Sequence, residues 1–311
     1  MRILVVTNMY PSNASPRAGI FVQREVDQLR ARGHEVEVFV VEGIKHVSAY
    51  FTSIQRVRTA ERAFEPDVVH VHFGLTLIAA LRLRSPTVVT FHGSDLTIPW
   101  KRTVSRSLAD TADVAVVVAE TLRSRVPARV PVTVIPCGVD LARLSALPAR
   151  EARASLGLSP DARYLLFPSS PQRPEKRYEL FCQAAAALDD FATIVLDEVD
   201  PAEVPMWLSA ADCLVLTSAA EGSPVVTKEA LCCGTRVVSV HVGDMRAQLE
   251  GLSGCRIAED DPGALAQAIR AALAEEPPDS LVAASRFDSV HEIDALERLY
   301  RQIAAQGRRD G

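Results

Sequence analysis

Lysine is nearly missing from this chain. Of its 34 basic residues only four are lysine, at Lys45, Lys101, Lys176 and Lys228, which makes each of them worth inspecting. Other absences narrow the function. No apolar run approaches the ~18 residues of a membrane-spanning helix. The start, Met1-Arg2-Ile3-Leu4-Val5-Val6, enters a strand-like run at once, without the length or cleavage site of a signal peptide. There is no C-x-x-C pair among the six scattered cysteines, so neither a zinc spacing nor a disulfide framework is present. They read as small buried residues in a reducing cytoplasm. No basic surplus exists to bind nucleic acid, since the net charge is −5. The G-x-G-x-x-G fingerprint is also missing, which disfavours nicotinamide chemistry. What remains is a chain of 311 residues, 48% of them hydrophobic. That is enough for two domains of roughly 150 residues each.

The order of elements is αβ throughout. Strands are expected at Arg2–Val6, Glu35–Val41, Asp67–Phe73, Thr87–Phe91, Asp113–Val118 and Val132–Ile135. Several are continuous β-branched runs, as strands buried on both faces of a parallel sheet require. Helices are expected at 17–32, 48–63, 75–83, 102–110 and 119–125. The first ends in Arg32-Gly33-His34, a glycine just past the helix stop. The stretch Leu141–Arg150 breaks the rhythm and reads as a hinge. Strands then resume at Arg163–Pro168, Ala192–Leu196, Cys213–Thr217, Arg236–Val240 and Cys255–Ala258. Helices lie between them at 175–188, 202–209, 225–232, 244–250 and 263–274. After Pro277-Pro278 a last amphipathic helix covers about 288–305. The pattern predicts two doubly wound α/β domains, residues 1–145 and 150–285, facing across a cleft, followed by a last segment, 286–311.

In such sheets, ligands sit beyond the carboxyl ends of the strands, so the loops there carry the candidates. The first loop runs from Thr7 to Gly19, where a glycine at a helix start permits close approach to an anion. His70 and His72 share one side of their strand, but the sequence offers no third metal ligand. His92, in His92-Gly93-Ser94-Asp95, stands at a strand end. Arg173 and Lys176, three apart in a loop that opens a helix, suit a diphosphate. The strongest segment is Glu221-Gly222-Ser223-Pro224-Val225-Val226-Thr227-Lys228-Glu229. Pro224 suits a first helical position, which aims the amides around Ser223 and Val225 outward. Glu221 and Glu229 can bracket a polyhydroxyl ligand.

Taken in order, these pieces resemble retaining glycosyltransferases of family 4, with the GT-B fold of two Rossmann-like domains. The resemblance spans nearly the whole chain. It includes Arg2–Val6, Gly19, Arg32-Gly33-His34-Glu35-Val36, Asp67–His72, His92–Leu96, Val134-Ile135-Pro136-Cys137-Gly138-Val139-Asp140, Ala211–Ser218 and the E-x7-E pair. It implies transfer of a sugar from a nucleotide-diphospho-sugar, UDP- or GDP-linked, to an acceptor hydroxyl with retention. Metal and cofactor are not needed, and the last segment, 286–311, would cross back to the first domain. Glu221 would bind donor-sugar hydroxyls, Glu229 the ribose, and Arg173 and Lys176 the leaving diphosphate. Amides near Gly19, Ser223 and Val225 would assist, and His92 would hydrogen-bond the sugar near the reacting centre. The acceptor would be a sugar, a lipid-linked or a small molecule, in polysaccharide, glycolipid or natural-product biosynthesis. A nucleotide-sugar epimerase or hydrolase and a non-catalytic binding partner are the alternatives. The implied location is cytoplasmic, with peripheral contact at the inner membrane face through the basic stretch Lys101, Arg102, Arg106, Arg123, Arg125 and Arg129. The chain departs from the family pattern at Ser170-Pro171, where Gly-Arg is usual, at Cys137, where Asn is usual, and at Pro224-Val225-Val226. The segment 189–211 is also short.

Overall fold

The computed structural model describes residues 1–13, 15–43, 46–144, 146–305 and 307. Lys45, and Ser145 within the expected hinge, lie outside the described residues. The chain forms two compact units. One is Met1–Cys137 together with the chain from Val290 onward, and the other is Gly138–Ser289.

The first unit holds a six-stranded sheet: β1 (Arg2–Thr7), β2 (Glu35–Val40), β3 (Val68–His72), β4 (Thr87–Phe91), β5 (Val114–Val117) and β6 (Val132–Val134). Their order is β2-β1-β3-β4-β5-β6, and every pairing is parallel. β3 and β4 are buried at every residue, which explains their unbroken runs of Val, His, Thr and Phe. The second unit holds β7 (Arg163–Phe167), β8 (Phe191–Val195), β9 (Cys213–Leu216), β10 (Arg236–Val240) and β11 (Arg256–Ala258) in the order β11-β10-β9-β7-β8, again all parallel. Apolar clusters cover both faces of this sheet, one built around Leu166, Leu214 and Leu231, the other around Phe167, Phe181 and Ile269.

The helix Ile20–Ala31 starts at Gly19 and buries Val22, Glu25, Val26 and Leu29 against the first sheet. It stops where Gly33 takes a φ of 84° and the His34 amide donates to the Leu29 carbonyl. The final helix, Ser289–Ala304, contributes Ile293, Leu296, Leu299, Tyr300 and Ile303 to the same core as Ile3 and Val5. His34 Nε2 lies 2.8 Å from Glu297 Oε1, and Arg32 pairs with Asp294. The Arg-Gly-His stop thus also anchors the last helix.

Several expectations change. The stretch 75–83 is a 3-10 helix, Gly74–Ile78, followed by turns, in which Arg82 adopts a left-handed conformation. The helix expected at 119–125 covers only Glu120–Arg123. The break between the units falls at Cys137/Gly138, not within 141–150. That stretch contains a 3-10 turn and the start of the helix Ala149–Ser155. Arg153 ties this helix into the second unit, reaching Asp212 at 2.9 Å and the Ala210 carbonyl at 2.8 Å. An unforeseen helix, Ser280–Phe287, begins at Asp279, whose side chain accepts the amides of Leu281 and Val282. The chain re-enters the first unit at Val290 rather than at 286.

Candidate functional site

In the second unit the strand order reverses between β7 and β9, which makes the loops after these two strands the topological switch point. The candidate residues Lys176 and Glu221 sit on those two loops, 45 positions apart in sequence. The Lys176 Nζ donates to Glu221 Oε1 at 2.5 Å, with both side chains mostly buried. Backbone and side-chain bonds hold the loops in this arrangement. Thr217 Oγ1 donates to the Lys176 carbonyl at 2.8 Å, the Arg177 guanidinium donates to the Thr217 carbonyl at 2.6 Å, and the Ala219 amide donates to the Glu175 carbonyl. Arg177 is left-handed at φ 53°, a strained conformation for a non-glycine residue, directly after Lys176.

Arg173 does not join this pair. Its guanidinium contacts Glu175 at 2.7 Å and is more than half exposed. The expected clamp of Arg173 with Lys176 is therefore open here, with Arg173 held by a neighbouring carboxylate. Burial pushes the Glu175 carboxyl up, but a bond from its own backbone amide and then the Arg173 guanidinium together outweigh it and leave the carboxyl below its usual range.

Pro224 proves to be the N-cap rather than the first helical residue, so the helix Val225–Cys232 opens on the Val225 amide. Glu229 lies inside this helix and is buried. Ser223 belongs to a buried polar network. It accepts from Lys228 Nζ at 2.8 Å and donates to Asp244 Oδ2 at 2.7 Å. Gln248 donates to Asp244 Oδ1 at 2.7 Å and accepts from Thr227 Oγ1 at 2.6 Å. Burial raises the Asp244 carboxyl above its usual value, against the opposing charge of Lys228. Gly243, at φ 54°, lets this loop approach the Gly222 carbonyl, which a Cβ would meet at 2.4 Å. The network sits directly behind the Glu221–Pro224 loop and fixes its shape. Lys228 was singled out in the sequence as one of four lysines but without this role, and Asp244 and Gln248 escaped the sequence reading. The available signal was an isolated lysine on an otherwise apolar helix face.

His92 and Gly19 belong to the first unit. Gly19, at φ 71°, makes its close approach to the chain's own Met9 carbonyl, which a Cβ would meet at 2.2 Å. The glycine is thus required by the turn itself. His92 follows β4, packed between the rings of Phe21 and Phe73 with centroids at 4.8 and 4.6 Å. The buried Asp95 carboxylate accepts the amides of Gly74, His92 and Gly93 and so orders the loop that carries His92. His92 Nε2 lies 3.0 Å from His72 Nδ1.

His70 and His72 also gain the third group that the sequence did not reveal. Glu25, on the apolar stripe of the first helix, places Oε1 3.0 Å from His70 Nδ1 and 3.4 Å from His72 Nε2. The three groups have ligand-type atoms within 4.8 Å of one another. His70 Nδ1 is already met by the Tyr300 hydroxyl at 2.7 Å, and His70 Nε2 faces Thr90 Oγ1 at 2.7 Å. Burial, reinforced by the charge of His72, lowers the imidazole pKa of His70 and takes that of His92 well below its usual value. Burial alone would raise the Glu25 carboxyl, but His72 and then His70 outweigh it and hold it far below its ordinary range.

These directions predict acid sensitivity. Below the unfolded imidazole value of 6.5, the unfolded chain takes up protons that folded His70 and His92 refuse. Stability should be full above pH 6.5 and fall as the pH drops below it. Glu25 adds a further loss below 4.5, its unfolded value. Urea unfolding between pH 7.5 and 5 should show a smaller loss in His70→Asn than in the parent chain, and equal losses would contradict the assignment.

Four of the six cysteines are buried, and none is bonded to another. Burial pushes the Cys232 and Cys233 thiols up to about 12 and Cys255 to about 11, which makes them poor nucleophiles. In the basic stretch of the first unit, Arg123 pairs with Glu120, Arg129 pairs with Asp110, and Arg106 and Arg125 donate to backbone carbonyls. No helix among the described residues is long and apolar enough to cross a membrane.

Two family models match the chain. The one described as Glycosyltransferase Family 4 covers residues 18–143, and the one described as Glycosyl transferases group 1 covers residues 149–275. The chain is 30% identical to D-inositol 3-phosphate glycosyltransferase 1 of Catenulispora acidiphila, over 78% of this chain and 73% of that protein. Among solved structures it is similar to sucrose-phosphate synthase from Thermosynechococcus elongatus, with a TM-score of 0.84 and 18% identity over 99% of this chain and 100% of that one. It is also similar to Anabaena HepE in complex with UDP-glucose, with a TM-score of 0.71 and 17% identity over 97% and 100% of the two chains.

Proposed function

Because the chain belongs to glycosyltransferase family 4, we propose that it moves a sugar from a nucleotide-diphospho-sugar to an acceptor hydroxyl with retention of configuration. The observation that carries the site assignment is the meeting of Lys176 and Glu221 at the β7/β9 switch point. A cation placed there neutralises the diphosphate as the bond to the sugar breaks, so the chemistry needs no metal ion. Glu221 accepts hydroxyl hydrogens of the donor sugar, and on donor binding it exchanges its ion pair with Lys176 for those contacts. The Val225 amide, at the open end of its helix, donates to phosphate. Glu229 takes the ribose hydroxyls. Ser223 acts by holding the loop, since its hydroxyl is committed to Lys228 and Asp244. Arg173 can swing from Glu175 to the diphosphate, because it is exposed and its partner lies two residues away. His92 hydrogen-bonds the donor sugar near the reacting carbon.

The donor is UDP- or GDP-linked, and the acceptor is a sugar, a lipid-linked or a small molecule. The Anabaena relative, whose structure contains UDP-glucose, supports the uridine option. A cytoplasmic location with peripheral membrane contact fits a lipid-linked acceptor, with Lys101, Arg102 and Trp100 as contacts on the helix Pro99–Leu108. A thermal-shift screen of nucleoside diphosphates and their sugars tests the binding half of the proposal. One uridine or guanosine diphosphate should raise the melting temperature by mass action, and the Lys176→Ala chain should lose that shift. No shift with either base at millimolar concentration would overturn the donor assignment.

A further inference from the structure

The cluster behind His92 is not accounted for by any role given so far. Glu25 is 6% exposed, and His70 and His72 are fully buried, in the core of an αβ unit where an unpaired charge is costly. Glu25 Oε1 and His72 Nε2 lie 3.4 Å apart, yet neither finds a well-aligned hydrogen bond. Phe73, immediately after His72, adopts φ 69° and ψ 135°, a strained backbone for a residue with a side chain. Strain at the end of β3 and an imperfectly satisfied buried acid packed against that strand from the first helix, beside a candidate catalytic histidine, mark a constellation kept for chemistry rather than packing.

Proton accounting orders the cluster. The Tyr300 phenol is fully buried, and its hydroxyl lies 2.7 Å from His70 Nδ1, which also stands 3.0 Å from Glu25 Oε1. His70 Nε2 meets Thr90 Oγ1 at 2.7 Å, so each ring nitrogen already has a hydroxyl partner. With both nitrogens of His70 occupied, no lone pair is left there for a metal ion. The Glu25 carboxylate faces His72, which therefore carries its proton on Nε2. His72 Nδ1 is then an acceptor, and the proton in the 3.0 Å contact must come from His92 Nε2. The rings of His72 and His92 lie within 18° of parallel, an orientation compatible with that bond.

We propose that Glu25 and His72 are positioning residues for His92: a buried carboxylate–imidazole–imidazole relay that fixes His92 as the Nε2–H tautomer and presents its Nδ1 as a neutral acceptor for a sugar hydroxyl. The relay rests on the reading of His92 as a donor-sugar contact. Its logic is that of the carboxylate in a Ser-His-Asp triad, which orients an imidazole without itself reacting. Here the orienting group acts through a second imidazole. The residues facing His92 with ionisable groups are His72 and Glu25, and Tyr300 and His70 complete the same cluster.

The test uses the full chain with 15N-labelled imidazoles. In the parent protein the nitrogen shifts should report His92 protonated on Nε2 and His72 on Nε2. Glu25→Gln, which keeps the shape, should release His72 into a mixture of tautomers. The same variant should lower kcat by about 10-fold or more while leaving KM for the donor within about twofold, since no donor contact is removed. Glu25→Asp should recover part of that loss. Three results would overturn the relay: an Nδ1–H His92 in the parent, unchanged tautomers in Glu25→Gln, or a stoichiometric transition metal in the purified protein. If the tautomers shift as expected but His92→Ala transfers sugar at the parent rate, the relay exists and the catalytic reading of His92 is the part that fails.

Discussion

Lys176→Ala should lower the rate of sugar transfer by about 10²–10³-fold, the loss typical of removing one preorganised group that stabilises developing charge. The reason is local. Lys176 supplies the ammonium at the switch point between β7 and β9, and Arg173, the other candidate cation, is engaged with Glu175. Nucleoside diphosphate affinity measured by calorimetry should fall in the same variant. Glu221→Gln should also be severely impaired, through lost contacts to sugar hydroxyls. The two changes should not multiply. Residues in direct contact couple by roughly 0.5–3 kcal/mol, and these two meet at 2.5 Å. The double variant should therefore be less impaired than the product of the single effects. If Lys176→Ala melts early but transfers sugar normally, the pair is structural and the donor site lies elsewhere.

The second large effect is on stability. Lys228 is 2% exposed, donates to Ser223, shares the network of Asp244 and Gln248, and lies 5.9 Å from the Phe287 ring centroid. Lys228→Met leaves the Asp244 carboxyl buried without its opposing charge. Breaking such a buried arrangement costs about 3–5 kcal/mol, which corresponds to a melting temperature lower by roughly 10 °C. Adding Asp244→Asn should restore part of the loss, because the orphaned charge disappears with it. Circular dichroism melts of the four chains complete the cycle. A Lys228→Met protein that melts like the parent would show that the lysine faces ligand rather than the loop behind it.

All eleven strands among the described residues were legible from apolar and β-branched runs between short loops, most plainly β3, β4 and β9, which are buried at every residue and leave an unbroken apolar record. The pairing of Lys176 with Glu221 was not. It depends on β7 and β9 becoming neighbours across a strand-order reversal, which no local pattern encodes. The sequence reading set the hinge at 141–150, past the division at Cys137/Gly138, for a similar reason. The chain from Val139 pairs with Asp288, and Gly138 passes so close to Ser289 that a Cβ would sit 2.3 Å from its Cα. Glu25 left a readable trace: a carboxylate at the i+3 position of an apolar stripe, between Val22 and Val26. Its meaning needed the two histidines of β3, 45 and 47 residues further on, and the tyrosine of the last helix.

The most direct test of sugar transfer with retention is an NMR time course with a UDP- or GDP-sugar and an acceptor. It follows the anomeric coupling of the first glycoside formed. The proposed chemistry requires that this coupling match the donor's configuration, that one nucleoside diphosphate be released per glycoside, and that both signals be lost in Glu221→Gln. An inverted glycoside, or a donor that isomerises with no acceptor consumed, would contradict it.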